Sequence, residues 1–169
     1  MASFLKRVLV LPVLVIGFSV LLSLSAASGE QALAQTISTT DAAPSSAPVT
    51  VFRSPTCGCC GLWSDHMREA GFEVEDNITS DMDTVKQQLG VTPAMASCHT
   101  AIIGHYILEG HVPAADVQKL LADQPDVAGL AAPGMPMGSP GMEQGGSAEP
   151  YTVFSFDHQG ESAPFAHHS

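Results

Sequence analysis

Val49-Thr50-Val51-Phe52-Arg53-Ser54-Pro55-Thr56-Cys57-Gly58-Cys59-Cys60-Gly61-Leu62-Trp63 is the stretch on which the fold turns. Its first five residues alternate and are rich in β-branched side chains, the pattern of a strand. Ser54-Pro55-Thr56 ends that strand. Leu62, Trp63, His66, Met67 and Ala70 then recur at helical spacing, and Gly71 closes the helix. The cysteines therefore fall where a first strand meets a first helix.

Downstream, Phe72-Glu73-Val74-Glu75 alternates as a second strand, and residues 81–89 have helical composition. Asp81 is placed to cap that helix and Gly90 to end it. Beyond Pro93, residues 100–103 and 106–109 flank Gly104-His105, which is a hairpin signal. Gly110-His111-Val112-Pro113 opens a third helix with Val117, Leu120 and Leu121 on one face, closed by Gln124-Pro125. Residues 129–146, made mostly of Gly, Pro, Met, Ser and Ala, are expected to be irregular. Residues 151–156 read as a last strand, and residues 157–169 as a polar, His-containing tail. The order β-α-β, α, β-hairpin, α and an extra strand predicts an α/β protein. Its layout is that of a small thioredoxin-like sandwich with flexible termini. Pro93, just ahead of the hairpin, falls where that layout places a conformationally special proline, and trans is its expected state.

Upstream, residues 1–34 have the form of a secretory signal. Lys6 and Arg7 precede a charge-free apolar run over residues 8–24, and Ala32-Leu33-Ala34 offers a small-residue cleavage site. An uncleaved anchor helix is the alternative, since the run is near the lower length for spanning a bilayer. Residues 35–48 form a Ser/Thr/Ala/Pro linker. The chain is long enough for one domain, over residues 49–156, with tails. The expectation is an exported, periplasmic protein with no stable membrane association after cleavage. Without the first 34 residues, 4 Lys and Arg remain against 16 Asp and Glu. Such a surface repels phosphate backbones and argues against nucleic acid as a partner, while it suits cations.

Three of the four cysteines lie within four residues, and the fourth, Cys98, adjoins His99. In an oxidising compartment four thiols normally pair into two disulfides. Adjacent Cys59 and Cys60 resist that outcome, because a bridge between neighbours is strained. Cys57 and Cys60 are spaced C-x-x-C at a helix N-terminus, where free N–H groups and the helix dipole favour the thiolate. A thiolate pair there serves disulfide exchange or a soft metal. Cys59 tips the balance, since a third sulfur would scramble a working disulfide.

Four sulfurs from Cys57, Cys59, Cys60 and Cys98 offer a site for Cu(I), or less readily zinc. Crowded thiolates suit a polynuclear Cu(I) cluster that shares them. A tetrahedral zinc site would ask for a second C-x-x-C pair, which is missing. A thiol–disulfide oxidoreductase working through Cys57 and Cys60 remains the rival reading. His99 and His111 are the candidate nitrogen ligands. His66 reads as a cap or as support behind a ligand, and His105 as a turn residue. Met135, Met137 and Met142 lie in a Gly/Pro-spaced stretch that cannot form a helical face; they either offer thioethers to Cu(I) or patch the core. His158, His167 and His168 either capture Cu(II) or are solvated, and solvation is the favoured reading.

Four segments in this order carry a resemblance: Ser54-Pro55-Thr56-Cys57-Gly58-Cys59-Cys60, Ser97-Cys98-His99-Thr100-Ala101, Glu109-Gly110-His111-Val112-Pro113, and Pro133-Gly134-Met135-Pro136 with Gly138-Ser139-Pro140-Gly141-Met142-Glu143. Over roughly residues 49–156 the chain resembles the CopG-type family of small exported bacterial proteins associated with copper resistance. The resemblance implies a thioredoxin-like fold and copper bound through Cys57, Cys59, Cys60 and Cys98, with a redox role in interconverting Cu(I) and Cu(II). Copper ions and other periplasmic copper-handling proteins are the expected partners. The resemblance establishes no enzymatic activity and does not reach the tail beyond Phe156.

Overall fold

The structure, a computed structural model, describes residues 48–143 and 147–169. The expected signal over residues 1–34 and residues 35–47 of the expected linker lie outside the described residues. Among the described residues no helix is long and apolar enough to cross a membrane.

The elements follow as β1 (Val49–Arg53), α1 (Gly58–Glu69), β2 (Val74–Ile78), α2 (Met82–Gln88), β3 (Thr100–Ile103) and β4 (Tyr106–Gly110). After these come α3 (Ala114–Asp123), β5 (Gly129–Ala132), β6 (Tyr151–Phe156) and β7 (Ser162–His168). The strands form one sheet in the order β2-β1-β3-β4-β5-β6-β7. β1 runs parallel to β2 and β4 parallel to β5, and the other neighbours are antiparallel. The expected mixed α/β class is observed.

β4 sits mid-sheet and all five of its residues are buried. Its alternation divides the interior, because successive strand side chains point to opposite faces. Leu108 joins Val49, Val51 and Leu130 with Trp63 and Met67 of α1 and Val117 and Leu120 of α3. Ile107 joins Ala131, Phe156 and Val91, with Met95 packed beside them. Each large apolar side chain fully buried this way contributes about 1.5–3 kcal/mol. The α1-and-α3 cluster is much the larger, and it anchors both helices that border the cysteines.

Two expectations are corrected. The stretch over residues 129–146 was expected to be irregular, yet Gly129–Ala132 is β5, paired with β4 and β6. Gly129 makes the pairing possible: a Cβ there would lie 2.7 Å from the Ile107 carbonyl carbon. Small residues that look like loop composition here serve close approach of two backbones. The tail was expected to be flexible, yet Ser162–His168 is β7, folded back on β6. Asp157 holds the turn, its Oδ1 accepting from the N–H groups of Gln159 and Glu161 at 2.9 Å each. The strand reads as polar because it is the sheet edge, and Pro164 is tolerated there for the same reason.

Of the tail histidines, half-buried His168 and exposed His167 make contacts. His168 Nε2 lies 2.7 Å from Asp116 Oδ2 on α3 and its ring stacks on Tyr151, while His167 Nδ1 is 2.9 Å from Thr152 Oγ1. The second strand begins at Val74 rather than Phe72, because Phe72 turns into the core. Pro93 is trans, as expected.

Candidate metal centre

The cysteine turn is built by the end of β1. Cys57 N–H donates to Ser54 C=O at 3.2 Å, and Cys57 becomes the N-cap of α1 with an extended backbone and no side-chain cap bond. The first N–H groups of α1 therefore receive no side-chain cap from Cys57. Cys60 is fully buried, whereas Cys57 and Cys59 are partly exposed. Cys57 and Cys60 are joined in a disulfide, their Cα atoms 5.4 Å apart, and Cys59 and Cys98 are free. C-x-x-C spacing across a helix start brings its two ends within bonding range. In this state the pair expected to ligate as thiolates is oxidised.

Cys98 arrives on the neighbouring strand, one residue before His99 and two before β3, whose start pairs with the end of β1, Thr100 opposite Phe52. Its Sγ lies 3.4 Å from Cys60 Sγ and 3.9 Å from Cys59 Sγ, and Cys59 Sγ lies 3.5 Å from Cys57 Sγ. All four sulfurs are within 4.8 Å of one another. A second donor set shares the same cysteine, because Cys98, His99 and His111 also place one ligand atom each within 4.8 Å of one another. Cys98 is the hinge between an all-sulfur lobe and a sulfur–nitrogen lobe.

His111 is oriented by the chain around it. Its Nδ1 lies 2.8 Å from the Pro140 carbonyl oxygen. A carbonyl only accepts, so Nδ1 carries the proton and Nε2 carries the lone pair. That Nε2 faces Cys98 Sγ at 3.0 Å. Metal-binding imidazoles are commonly fixed in this way, by the hydrogen bond of the other ring nitrogen. His99 is wedged between Trp63 and His111, at ring-centroid distances of 4.5 and 5.0 Å. Its Nδ1 is 3.5 Å from Cys98 Sγ, and its Nε2 is buried without a hydrogen-bond partner.

Two side chains of α1 hold the segment that carries His111. Trp63 Nε1 donates to Val112 C=O at 2.9 Å, and His66 Nε2 accepts from Ala114 N–H at 3.1 Å. His66 thus caps α3, whose own N-cap, Pro113, has no side-chain bond to offer. It touches no sulfur of the cluster. His105 lies in the turn between β3 and β4 and stacks on Tyr106, as expected of a turn residue.

The Gly/Pro/Met segment meets the site through its backbone. Gly134 N–H donates to Ala96 C=O at 3.0 Å, and Ser97 Oγ donates to Gly134 C=O. At its other end, Gly141 has φ +87° and lies against the cysteine turn. A Cβ there would sit 2.6 Å from Cys59 O, 2.9 Å from Trp63 N and 3.4 Å from His111 Nδ1. Met142 follows directly and is half-buried, Met137 is half-buried, and Met135 is 54% exposed. Gly141→Ala is expected to push this segment off α1 and loosen the Pro140–His111 bond, at about 1–3 kcal/mol. Chemical denaturation of the metal-free variant measures it, and unchanged stability would show that the segment does not lean on the helix.

Burial favours the uncharged forms of Cys98, His99 and His111. Burial first, and the nearby Cys59 second, push the Cys98 thiol up to about 12. Burial holds His99 well below the usual imidazole range and His111 below it as well. The residues fit a soft cation: it would replace the Cys98 proton and occupy lone pairs that now face only sulfur or nothing. Sequence reasoning missed Glu109, which is fully buried and bonded to the residues on either side of Cys98-His99. Its only signal was an acid closing an otherwise apolar strand.

A family profile described as "Protein of unknown function, DUF411" matches residues 95–142, which span Cys98, His99, His111 and the Gly/Met segment. No curated protein sequence matches the chain. Two solved structures are similar to it, titled "Copper resistance protein copG- Form 2" and "Copper resistance protein copG- Form 1". Each is 43% identical with a TM-score of 0.68; the matches cover 72% and 73% of this chain and 98% of each of those. Identity at that level over nearly the whole of each relative shows that the chain belongs to the CopG-type family of copper resistance proteins.

Proposed function

We propose that the protein binds Cu(I) as cargo through Cys57, Cys59, Cys60 and Cys98 when reduced, with His99 and His111 adding nitrogen, and so sequesters or hands on copper. The observation that supports it most is the position of Cys98, which belongs to both donor sets. Shared thiolates let several Cu(I) ions sit in one pocket without each needing its own ligands. Zinc fits less well, since the sulfurs crowd one another and the nitrogens lie to one side. Met142, beside Gly141, is the thioether best placed to serve an incoming ion; Met135 and Met137 lie farther along the segment.

In this reading the β1–α1–β2 unit with β3, β4 and α3 is a thioredoxin-like core, to which β5, β6 and β7 are added. The protein is exported, with residues 1–34 as its leader and other copper-handling proteins of the periplasm as its partners. A redox role follows from the same sulfurs. Oxidation of the Cys57–Cys60 dithiol to the disulfide releases two electrons and two protons, enough to convert two Cu(II) to two Cu(I).

The test is an anaerobic Cu(I) titration of the fully reduced protein beside protein oxidised at Cys57–Cys60. Tight binding is expected in the reduced form and a lower stoichiometry in the oxidised one. Binding indifferent both to oxidation and to joint Cys59→Ser and Cys60→Ser replacement would end the proposal. The disulfide itself, with Cys98 Sγ 3.4 Å from Cys60 Sγ, favours a second reading as a thiol–disulfide oxidoreductase. Insulin reduction that disappears in Cys57→Ser and persists in Cys59→Ser would favour that reading instead.

A further inference from the structure

Beside the Cys98-His99 pair lies a buried polar group that the copper reading does not use. Glu109 of β4 is fully buried, in a strand whose other residues are Tyr106, Ile107, Leu108 and Gly110. A buried carboxylate is retained only where its oxygens are satisfied. Here the partners bracket the metal-binding dipeptide. Glu109 Oε1 accepts from Ser97 N–H at 2.6 Å, and Glu109 Oε2 accepts from Thr100 Oγ1–H at 2.6 Å. Ser97 immediately precedes Cys98, and Thr100 immediately follows His99. One carboxylate therefore grips both ends of the Cys98-His99 pair.

The charge is balanced from outside the sheet. Lys86 of α2 reaches in, with its Nζ 2.5 Å from Glu109 Oε1 and 2.9 Å from Thr100 Oγ1. Its side chain is only 13% exposed and that of Glu109 not at all. The strand pairing adds no equivalent restraint on Cys98. β3 begins at Thr100; ahead of it Gly110 N–H donates to His99 C=O and Gly134 N–H to Ala96 C=O, at 3.0 Å each, and Ser97 Oγ donates to Gly134 C=O. The carboxylate adds to these bonds a tie that joins the two flanks of the Cys98-His99 pair to each other.

We propose that Glu109 is a positioning residue for the copper site: by holding Ser97 and Thr100 together it sets where Cys98 Sγ and His99 meet the sulfurs of α1. Lys86 serves as the counter-charge that allows the carboxylate to be buried. The inference rests on the copper reading above and is tested so that the two can fail separately.

Three forms are compared: the unsubstituted protein, the doubly substituted Glu109→Gln with Lys86→Met, and the doubly substituted Glu109→Leu with Lys86→Met. Removing both charges together avoids stranding either one inside the fold. A glutamine amide can still accept from Ser97 N–H and donate to Thr100 Oγ1, whereas leucine fills the space without gripping either. Each protein is reduced, loaded anaerobically with Cu(I), and competed against a chromogenic Cu(I) chelator. Circular dichroism and thermal unfolding of the metal-free forms report folding.

The Gln variant is expected to bind within a fewfold of the unsubstituted protein. The Leu variant is expected to bind about 10–100-fold more weakly, the range seen when groups behind metal ligands are lost. It should also show altered thiolate-to-Cu(I) absorption while remaining folded. Unsubstituted affinity and absorption in a folded Leu variant would overturn the proposal and leave Glu109 a stabilising group only. If the Leu variant does not accumulate folded, Thr100→Val removes one arm of the grip: weaker binding with native-like unfolding supports the proposal, and unchanged binding overturns it. Failure of the unsubstituted protein to bind Cu(I) would instead sink the copper reading.

Discussion

Serine in place of Cys98 is expected to weaken Cu(I) binding by more than the roughly 10–100-fold that follows loss of groups behind a metal's ligands. Cys98 is the one donor common to both sets. Its sulfur is 3.4 Å from Cys60 Sγ, 3.9 Å from Cys59 Sγ and 3.0 Å from His111 Nε2. A hydroxyl keeps the size of the side chain but is a hard, protonated donor that a soft cation takes poorly. The remaining cysteines then sit alone at the start of α1, cut off from the imidazoles. The same replacement should leave folding nearly untouched, because a serine hydroxyl can still donate to His111 Nε2. Anaerobic competition titration reads the affinity, and urea denaturation of the metal-free protein reads the fold. Affinity within a fewfold of the unsubstituted protein would mean that copper is held elsewhere.

Alanine in place of Trp63 is the substitution expected to hurt stability most in the neighbourhood of the site. The indole is fully buried in the larger core cluster. Truncating a buried tryptophan costs about 3–5 kcal/mol, through lost transfer energy and the cavity left behind. Two further losses follow from the geometry. Val112 C=O loses its donor at 2.9 Å, and His99 loses the ring packed 4.5 Å from its own. Both imidazoles of the site are therefore loosened together, since Val112 adjoins His111. Trp63→Phe, which keeps most of the apolar volume, should recover stability and leave the Val112 carbonyl unpaired, at about 1 kcal/mol. Equilibrium denaturation in urea provides the measurement. A loss for the alanine variant of no more than about 0.5 kcal/mol, the range of ordinary surface changes, would contradict the packing described here.

The two experiments separate the roles of neighbouring residues. Cys98 acts on metal and hardly on the fold, Trp63 acts on the fold and through it on the metal. Gly141 stands between them, because its missing side chain lets the Pro140 carbonyl reach His111. Glu109 is a fourth kind of residue, one that touches no donor atom yet holds the two residues on either side of the Cys98-His99 pair.

Much of this was legible in the chain. The alternation of residues 49–53 and the helical spacing beyond Cys60 place the cysteines at a strand-to-helix junction, and β1 and α1 are found there. Periodicity and local turn chemistry are short-range signals, so they survive in sequence. β5 was hidden because Gly-Leu-Ala-Ala has little strand propensity of its own; it is a strand because β4 and β6 lie on either side. β7 was hidden for a related reason, since an edge strand shows its polar side to water and resembles a tail. Glu109 showed in sequence only as an acid closing an apolar stretch, and its burial follows from β4 lying mid-sheet with every residue covered.

Which residue types can bind a soft metal is a matter of side-chain chemistry. The three cysteines of the turn, the Cys98-His99 pair, His111 and the methionine segment announced themselves on that ground. What tertiary structure decided is geometry across the sheet. It brought a sulfur 38 residues from Cys60 to within 3.4 Å of it, and left His99 with a lone nitrogen in the interior. It also turned His111 by a carbonyl 29 residues away and joined Cys57 to Cys60 while Cys59 stayed free. Sequence carries the donors because chemistry resides in single residues. Their distances and protonation arise from burial and packing, which belong to no residue alone.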